Sequence, residues 1–202
     1  MKRKMIISVL AVMISVFTLA NPVLAKAEKW EIDPAHSSIY FDIRHIYSTV
    51  RGMFTDFSGT LIFDPDNKDA SSVEFSVKVD SINTHITKRD NHLRSNDFFE
   101  ADKYPLMTFK STGVKQVKDN RYLLAGNLTV KDVTKAVEIP FTYYGLRENP
   151  LKAGQMVAGF EAEFTIDRLD YHVGSEKFTD MGVLGKEVHV LVTLEVLKEI
   201  SQ

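Results

Sequence analysis

Six histidines are the first candidates for metal or acid–base chemistry in this chain. They are His36, His45, His85, His92, His172 and His189. None of them forms a His-x-His or His-Glu-x-x-His pattern, the spacings that typically bring zinc ligands together on one strand or helix. The sequence has no cysteine, which excludes zinc–thiolate sites, disulfides and thiol nucleophiles. We therefore predict neither a metal ion nor a cofactor and interpret the histidines as structural.

The densest run of polar residues lies at 87–101, with the sequence TKRDNHLRSNDFFEA. Asp90 and Arg94 are four residues apart, so a helix here would bring them within reach of an ion pair. Asp90 and His92 are two residues apart and would lie on different faces of that helix, which argues against a catalytic pair. We interpret the run as a short helical insertion, ordered by the Asp90–Arg94 pair, that rims or plugs one end of the fold.

Motifs for covalent catalysis and phosphate binding are also missing from the sequence. No serine lies in a Gly-x-Ser-x-Gly pattern, and the ten glycines are dispersed rather than grouped in a phosphate-binding loop. The 25 basic and 27 acidic residues give a net charge of −2, which does not favour nucleic-acid binding. We predict that the protein is not an enzyme and has no nucleic-acid partner.

Alternating apolar and polar residues indicate β-strands, which must position any functional site. This period of two, typical of strands with one buried face, recurs in eight stretches: 37–44, 57–63, 73–79, 107–109, 122–130, 137–143, 158–166 and 188–196. Turn-forming residues such as Asp64-Pro65-Asp66-Asn67 separate them. The pattern predicts an all-β domain of about eight antiparallel strands, either stacked as a sandwich or closed as a barrel.

The aromatic content, 13 Phe, 7 Tyr and one Trp, allows two interpretations of the interior. The rings could fill the core completely, or they could line a hollow that receives an apolar ligand. Composition alone does not decide between a packed and a hollow interior.

The first 25 residues have the pattern of a secretory signal peptide. Lys2, Arg3 and Lys4 precede an uncharged apolar run, and Val23-Leu24-Ala25 provides a cleavage site. The run is shorter than the ~20 residues that span a bilayer as a helix. We predict cleavage after Ala25, a mature domain over 26–202, and export to the periplasm.

Several blocks of the sequence resemble the YceI family. In chain order they are 30–37 (WEIDPAHS), 41–45 (FDIRH), 51–59 (RGMFTDFSG), 82–84 (INT), 89–99 (RDNHLRSNDFF), 104–105 (YP), 126–129 (GNLT), 132–135 (DVTK) and 164–171 (FTIDRLDY). One departure is His172, where the family has glycine after the Asp-Tyr pair.

The resemblance implies an extended eight-stranded antiparallel lipocalin-like barrel with a short helical insertion. It further implies a long apolar tunnel that holds a polyisoprenoid or similar lipid, such as a polyprenyl phosphate or a quinone, for storage or transport in the periplasm. Transient membrane contact for ligand exchange and a homodimer are left open. The alternatives are an enzyme acting on an apolar isoprenoid-type substrate and a ligand-free structural or stress-response protein with a packed barrel.

The expected ligand-binding residues fall into two groups. The apolar strand faces supply the tunnel lining: Ile39, Phe41, Ile43, Phe75, Val77, Phe109, Phe141, Phe160, Phe164, Val190 and Val192. Arg89, His92 and Arg94 are the candidates for a polar head group, because arginine pairs well with phosphate oxygens. The competing interpretation is that these arginines pair with nearby carboxylates.

Overall fold

A computed structural model of the chain describes residues 29–200. The predicted signal peptide, residues 1–25, lies outside the described residues, so its cleavage and the domain limits of 26–202 stay predictions. None of the helices within residues 29–200 is long and apolar enough to cross a membrane.

Within residues 29–200 the chain forms eleven strands and two short α-helices. The strands are β1 (Lys29–Ile32), β2 (Ser38–His45), β3 (Ser48–Phe54), β4 (Phe57–Ile62), β5 (Ser72–Lys78), β6 (Ile82–Asn83), β7 (Leu106–Lys118), β8 (Arg121–Val130), β9 (Val133–Glu148), β10 (Gln155–Asp167) and β11 (Leu184–Glu199). The helices are α1 (Thr87–Arg94) and α2 (Glu176–Asp180), and a 3₁₀ turn spans Arg168–Tyr171.

The strands form one antiparallel sheet that closes on itself. Its order is β1-β4-β5-β7-β8-β9-β10-β11-β2-β3-β6, and β1 also pairs with β11. Strands β2 and β1 lie one after the other along β11 and occupy a single position of the barrel wall. The pairs β3/β4 and β5/β6 share positions in the same way, so the described sheet has eight positions. This confirms the predicted eight-stranded antiparallel barrel.

Each of the eight predicted stretches lies in or overlaps a strand, but the sequence analysis missed β1, β6 and the longest of the three missed strands, β3. On this strand Val50 and Phe54 alternate with Arg51, and the position between the two apolar residues is Gly52. A side chain at Gly52 would overlap the ring of Phe41 on the neighbouring strand. The glycine makes room for that ring and thereby interrupts the apolar pattern.

The helical insertion is confirmed by α1, but the predicted Asp90–Arg94 pair is wrong. Asp90 is buried, and its carboxylate accepts hydrogen bonds from the backbone N–H of Thr84, at 2.8 Å, and from the Thr84 hydroxyl. Arg94 donates to the backbone oxygens of Asp80 and Ile82. A spacing of four puts two helix residues within reach of each other, but here Asp90 accepts from the buried Thr84 and Arg94 donates to backbone oxygens instead.

The two ends of the barrel are filled differently. At the end that holds the β7–β8 turn, the Phe63 ring contacts those of Tyr122, Phe141, Tyr143 and Phe160, with centroids 5.0–5.7 Å apart. We call this the aromatic end. The opposite end, here the helical end, holds α1, α2 and the β2–β3 turn. The packed and hollow interpretations thus each apply to one part of the interior.

His172 ends the 3₁₀ turn with φ +55° and ψ 30°, a left-handed conformation. This is the position where the resemblance leads to an expectation of glycine, the residue that adopts such angles at least cost. Histidine is among the non-glycine residues enriched there. Its Nδ1 lies 3.1 Å from the Asp132 carboxylate, which holds the side chain over the β8–β9 turn.

Candidate functional site

A large apolar cavity of about 360 Å³ lies inside the helical end of the barrel. Its volume is within the range of small-molecule sites. Inward-facing side chains of the wall line it, and Leu93, Phe98 and Phe99 of the insertion and Phe178 of α2 cover it. Both helical segments therefore act as the cover of this cavity.

A second cavity of about 160 Å³ lies deeper, toward the aromatic end. Five residues line both cavities: Phe75, Val77, Phe109, Leu128 and Phe164. The two cavities are therefore adjacent parts of one apolar interior that ends against the packed Phe63 cluster.

Ten of the eleven residues predicted to line a tunnel contact one or both cavities. The larger cavity is lined by Phe41, Ile43, Phe75, Val77, Phe109, Phe164 and Val190, and the deeper one adds Phe141, Phe160 and Val192. Ile39 lines neither cavity and packs in a buried cluster with Phe54, Val77 and Ile82. That these residues bind a ligand stays a prediction.

The three residues predicted to bind a polar head group do not lie in one place. Arg89 and His92 line the larger cavity, whereas Arg94 lines a polar hollow on the outside of α1. Arg89 donates from Nε to the hydroxyl and from Nη2 to the backbone oxygen of Thr84, both at 2.7 Å. His92 Nε2 lies 2.8 Å from the Asp97 carboxylate. Among the described residues no carboxylate pairs with Arg89 or Arg94, which contradicts the competing interpretation for both arginines.

The sequence analysis missed Arg168 as a residue of the cavity wall. Only 3% of it is exposed. Its Nε donates to the backbone oxygen of Gly185 and its Nη1 to that of Val173, both at 2.8 Å, and Nη2 donates to the Thr179 hydroxyl at 2.9 Å. Burial lowers the pKa of this guanidinium, while Asp167 opposes that shift. An arginine after an amphipathic strand looks like a surface residue, and only its place in the block 164–171 signals otherwise.

The Phe41 ring packs directly over Gly52 of the neighbouring strand. We expect Gly52→Ala to push the Phe41 ring into the cavity, since the added Cβ would overlap the ring and would also lie 2.9 Å from Thr84 Cγ2. Overpacking of this kind costs about 1–3 kcal/mol of unfolding free energy, which urea denaturation measures. The control is Gly113→Ala, where the added Cβ meets no atom within 4 Å. Equal stability of the two variants would contradict the prediction.

One side-chain cluster on the outer surface has the composition of a metal site. His36 Nδ1 lies 2.8 Å from Asp33 Oδ2 and 3.9 Å from Glu195 Oε1. Asp33 also accepts the backbone N–H of Ala35, at 2.9 Å. The hydrogen bond between the His36 and Asp33 side chains raises the pKa of His36 and lowers the pKa of Asp33. These contacts shape the break between β1 and β2 and agree with a structural role for His36.

The Asp33–His36 hydrogen bond should make a pH-dependent contribution to the stability of the folded chain. Because His36 has a pKa above its ordinary 6.5 in the folded chain, its stabilising contribution is full below pH 6.5. That contribution is lost as the pH rises through the raised value. We expect an NMR titration to show a His36 pKa above its ordinary value, and Asp33→Asn to lower that pKa, while Glu195 still opposes a complete return. A His36 pKa unaffected by Asp33→Asn would show that the bond does not form in solution.

The fold and its interior define a small antiparallel barrel with an apolar cavity under a helical cover. The family model for the YceI-like domain matches residues 30–196. A UPF0312 protein of Pectobacterium atrosepticum is 36% identical over 200 residues, which cover 98% of this chain and 100% of that one. The chain therefore belongs to the YceI-like family.

Solved structures have the same fold. BcnA of Burkholderia cenocepacia superposes with a TM-score of 0.73 at 23% identity, covering 82% of this chain and 99% of that one. A polyisoprenoid binding domain from Saccharophagus degradans superposes with a TM-score of 0.62 at 17% identity, covering 85% and 98%. Both likenesses confirm the lipocalin-like barrel.

Proposed function

We propose that this protein binds a long-chain apolar lipid, a polyisoprenoid or a similar molecule, inside its barrel and stores or transports it in the periplasm. The observation that carries the proposal is the apolar cavity of about 360 Å³ and its continuation toward the aromatic end. A ligand-free structural protein would need a packed barrel, and the helical end is not packed. The polyisoprenoid binding domain from Saccharophagus degradans supports the choice of ligand class.

The energetics of such a ligand favour carriage between membranes. Burial of a chain of ~20 carbons gains ~16 kcal/mol relative to water, at ~0.8 kcal/mol per CH₂. A lipid taken from a bilayer has a tail that is already out of water. Its net preference for the barrel is therefore small, and the ligand can return to a membrane.

The β2–β3 turn is the surface that we propose for transient membrane contact. Ile46 and Tyr47 form this turn and are 49% and 90% exposed. Ile46 has φ +51°, a costly backbone conformation for a β-branched residue. The neighbouring Arg44 adds a positive charge and the turn has no acidic residue, as suits a phosphate-bearing bilayer surface. Because His45 also lines the cavity, this surface adjoins the ligand. The homodimer stays a prediction.

Native mass spectrometry of the exported protein tests the proposed function. We expect a polypeptide that starts at Lys26 and carries an additional lipid mass, which organic extraction removes. The delipidated protein should take up a polyprenol from phospholipid vesicles. A protein that is isolated without lipid and takes up none from vesicles would refute the proposal.

A further inference from the structure

The Phe63 ring helps to close the lumen of the barrel at the aromatic end. Phe63 directly follows β4. Counted in either direction, four steps of the strand order separate β4 from β9, so the two strands face each other across the lumen. The Phe63 ring nevertheless contacts Phe141 and Tyr143 of β9, with centroids 5.7 and 5.0 Å away. Rings from opposite walls therefore meet inside the barrel and bridge the lumen.

Phe63 is the last residue that a chain inside the barrel would meet. It lines the deeper cavity together with Phe141 and Phe160. Tyr122 and Tyr143 contact the same ring but line neither cavity. The two tyrosines therefore support the Phe63 ring on the side that faces away from the cavity.

The segment beyond these tyrosines is acidic. Asp66 lies close enough to Tyr122 to add to the rise in pKa that burial causes in this tyrosine, and Asp64 does the same for Tyr143. An anionic head group at this end would face both carboxylates, and a neutral one would lose its water among apolar side chains. The part of a lipid that reaches Phe63 is therefore the end of its apolar tail.

The volumes of the two cavities indicate how long the enclosed tail is. A cavity of ~150 Å³ holds one benzene molecule. On that scale the deeper cavity, of about 160 Å³, holds about one isoprene unit, and the larger cavity, of about 360 Å³, holds about three more. The described interior therefore matches a tail of about four isoprene units.

We propose that Phe63 is the chain-length stop of the lipid site: the tail end of the ligand abuts its ring, and the barrel encloses about four isoprene units. A longer tail leaves its excess units outside the helical end, where their apolar surface meets water. The protein therefore selects tails of this length from a membrane that also contains longer ones. The inference rests on the proposed lipid-binding function and specifies the length of chain that the site encloses.

The test offers the protein phospholipid vesicles that contain equal amounts of prenols with three, four and five isoprene units. Mass spectrometry of the lipid extracted from the reisolated protein gives the bound ratios. We expect the unsubstituted protein to prefer the four-unit over the five-unit prenol about tenfold or more, since the excess unit would be exposed to water. Phe63→Ala should bring this ratio close to one, because a phenyl ring occupies about as much space as one isoprene unit. Phe63→Trp should shift binding in the opposite direction, toward the three-unit prenol.

A ratio between bound ligands does not depend on how much of the protein is folded. This matters because removal of a buried ring destabilises the core. Phe63→Leu is a milder variant, which should raise the share of the five-unit prenol about threefold. The matched control is Val196→Ala, since Val196 belongs to the same buried cluster, is 0% exposed and lines neither cavity. This control should leave the ratios unchanged.

The other outcomes have separate meanings. Unchanged ratios in lipid-loaded Phe63→Ala and Phe63→Leu proteins would overturn the inference while leaving the lipid-binding function intact. Equal binding of the four-unit and five-unit prenols by the unsubstituted protein would overturn it as well. Failure of the unsubstituted protein to take up any of the three prenols would instead refute the proposed function.

Discussion

Replacement of Arg168 by methionine is expected to lower the free energy of unfolding by about 3–5 kcal/mol, because several buried acceptors lose their donor together. The guanidinium joins the end of β10 to the start of β11, through the Gly185 oxygen, and to α2, through the Thr179 hydroxyl. Methionine can replace the aliphatic part of the side chain but offers no donor. The covering segment around α2 should therefore loosen first.

Urea denaturation measures the loss of stability, and amide hydrogen exchange of residues 173–183 measures the loosening. The matched control is Arg51→Met, which removes an exposed guanidinium that lies 2.6 Å from Asp42. We expect the control to lose less than about 1 kcal/mol, as is usual for surface ion pairs. Arg168→Lys should fall between the two, because lysine keeps the charge without the planar fork. Similar losses for Arg168→Met and Arg51→Met would contradict the account.

Phe164→Asp is expected to reduce the lipid content of the purified protein at least tenfold. Phe164 lines both cavities, so an aspartate there would place a carboxylate in the middle of the apolar interior. Among the described residues no cationic side chain lines the deeper cavity, and Arg89 and Arg168 in the wall of the larger one already donate to protein oxygens. A buried unpaired charge disfavours an apolar ligand strongly, because the group retains water instead.

The control for this experiment is Thr165→Asp, the next residue of β10, which is exposed on the outer face. Circular dichroism must show that both variants are folded before their lipid contents are compared. Full lipid occupancy in a folded Phe164→Asp protein would mean that the ligand does not pass this point.

The strands were predictable because one face of each is buried. The resulting alternation of apolar and polar residues does not depend on which side chains pack against each other. Strand β3 was not predicted because Gly52, which leaves room for the Phe41 ring, interrupts its alternating apolar pattern. The closure of the barrel came from the family resemblance, since alternation alone is equally compatible with a sandwich.

The site was only partly predictable for a different reason. The apolar faces indicated which residues point inward, but not that the rings around Phe63 pack at one end and leave the other hollow. The hydrogen-bond partners of the polar side chains could not be predicted from the sequence either. Asp90 bonds Thr84 rather than Arg94, and Arg168 is buried by segments that follow it in the chain. Such choices depend on tertiary neighbours, which spacing does not encode.

The pairing of β1 with β11 has a consequence for the order of events during biosynthesis. Residues 29–32 cannot find their partner until the last strand, which ends at Glu199, is present. Contacts this distant in sequence form late, because the entropy of the intervening loop must be overcome first. The ring of strands therefore closes only after the whole chain has been synthesised, and the enclosed cavity does not exist before that step.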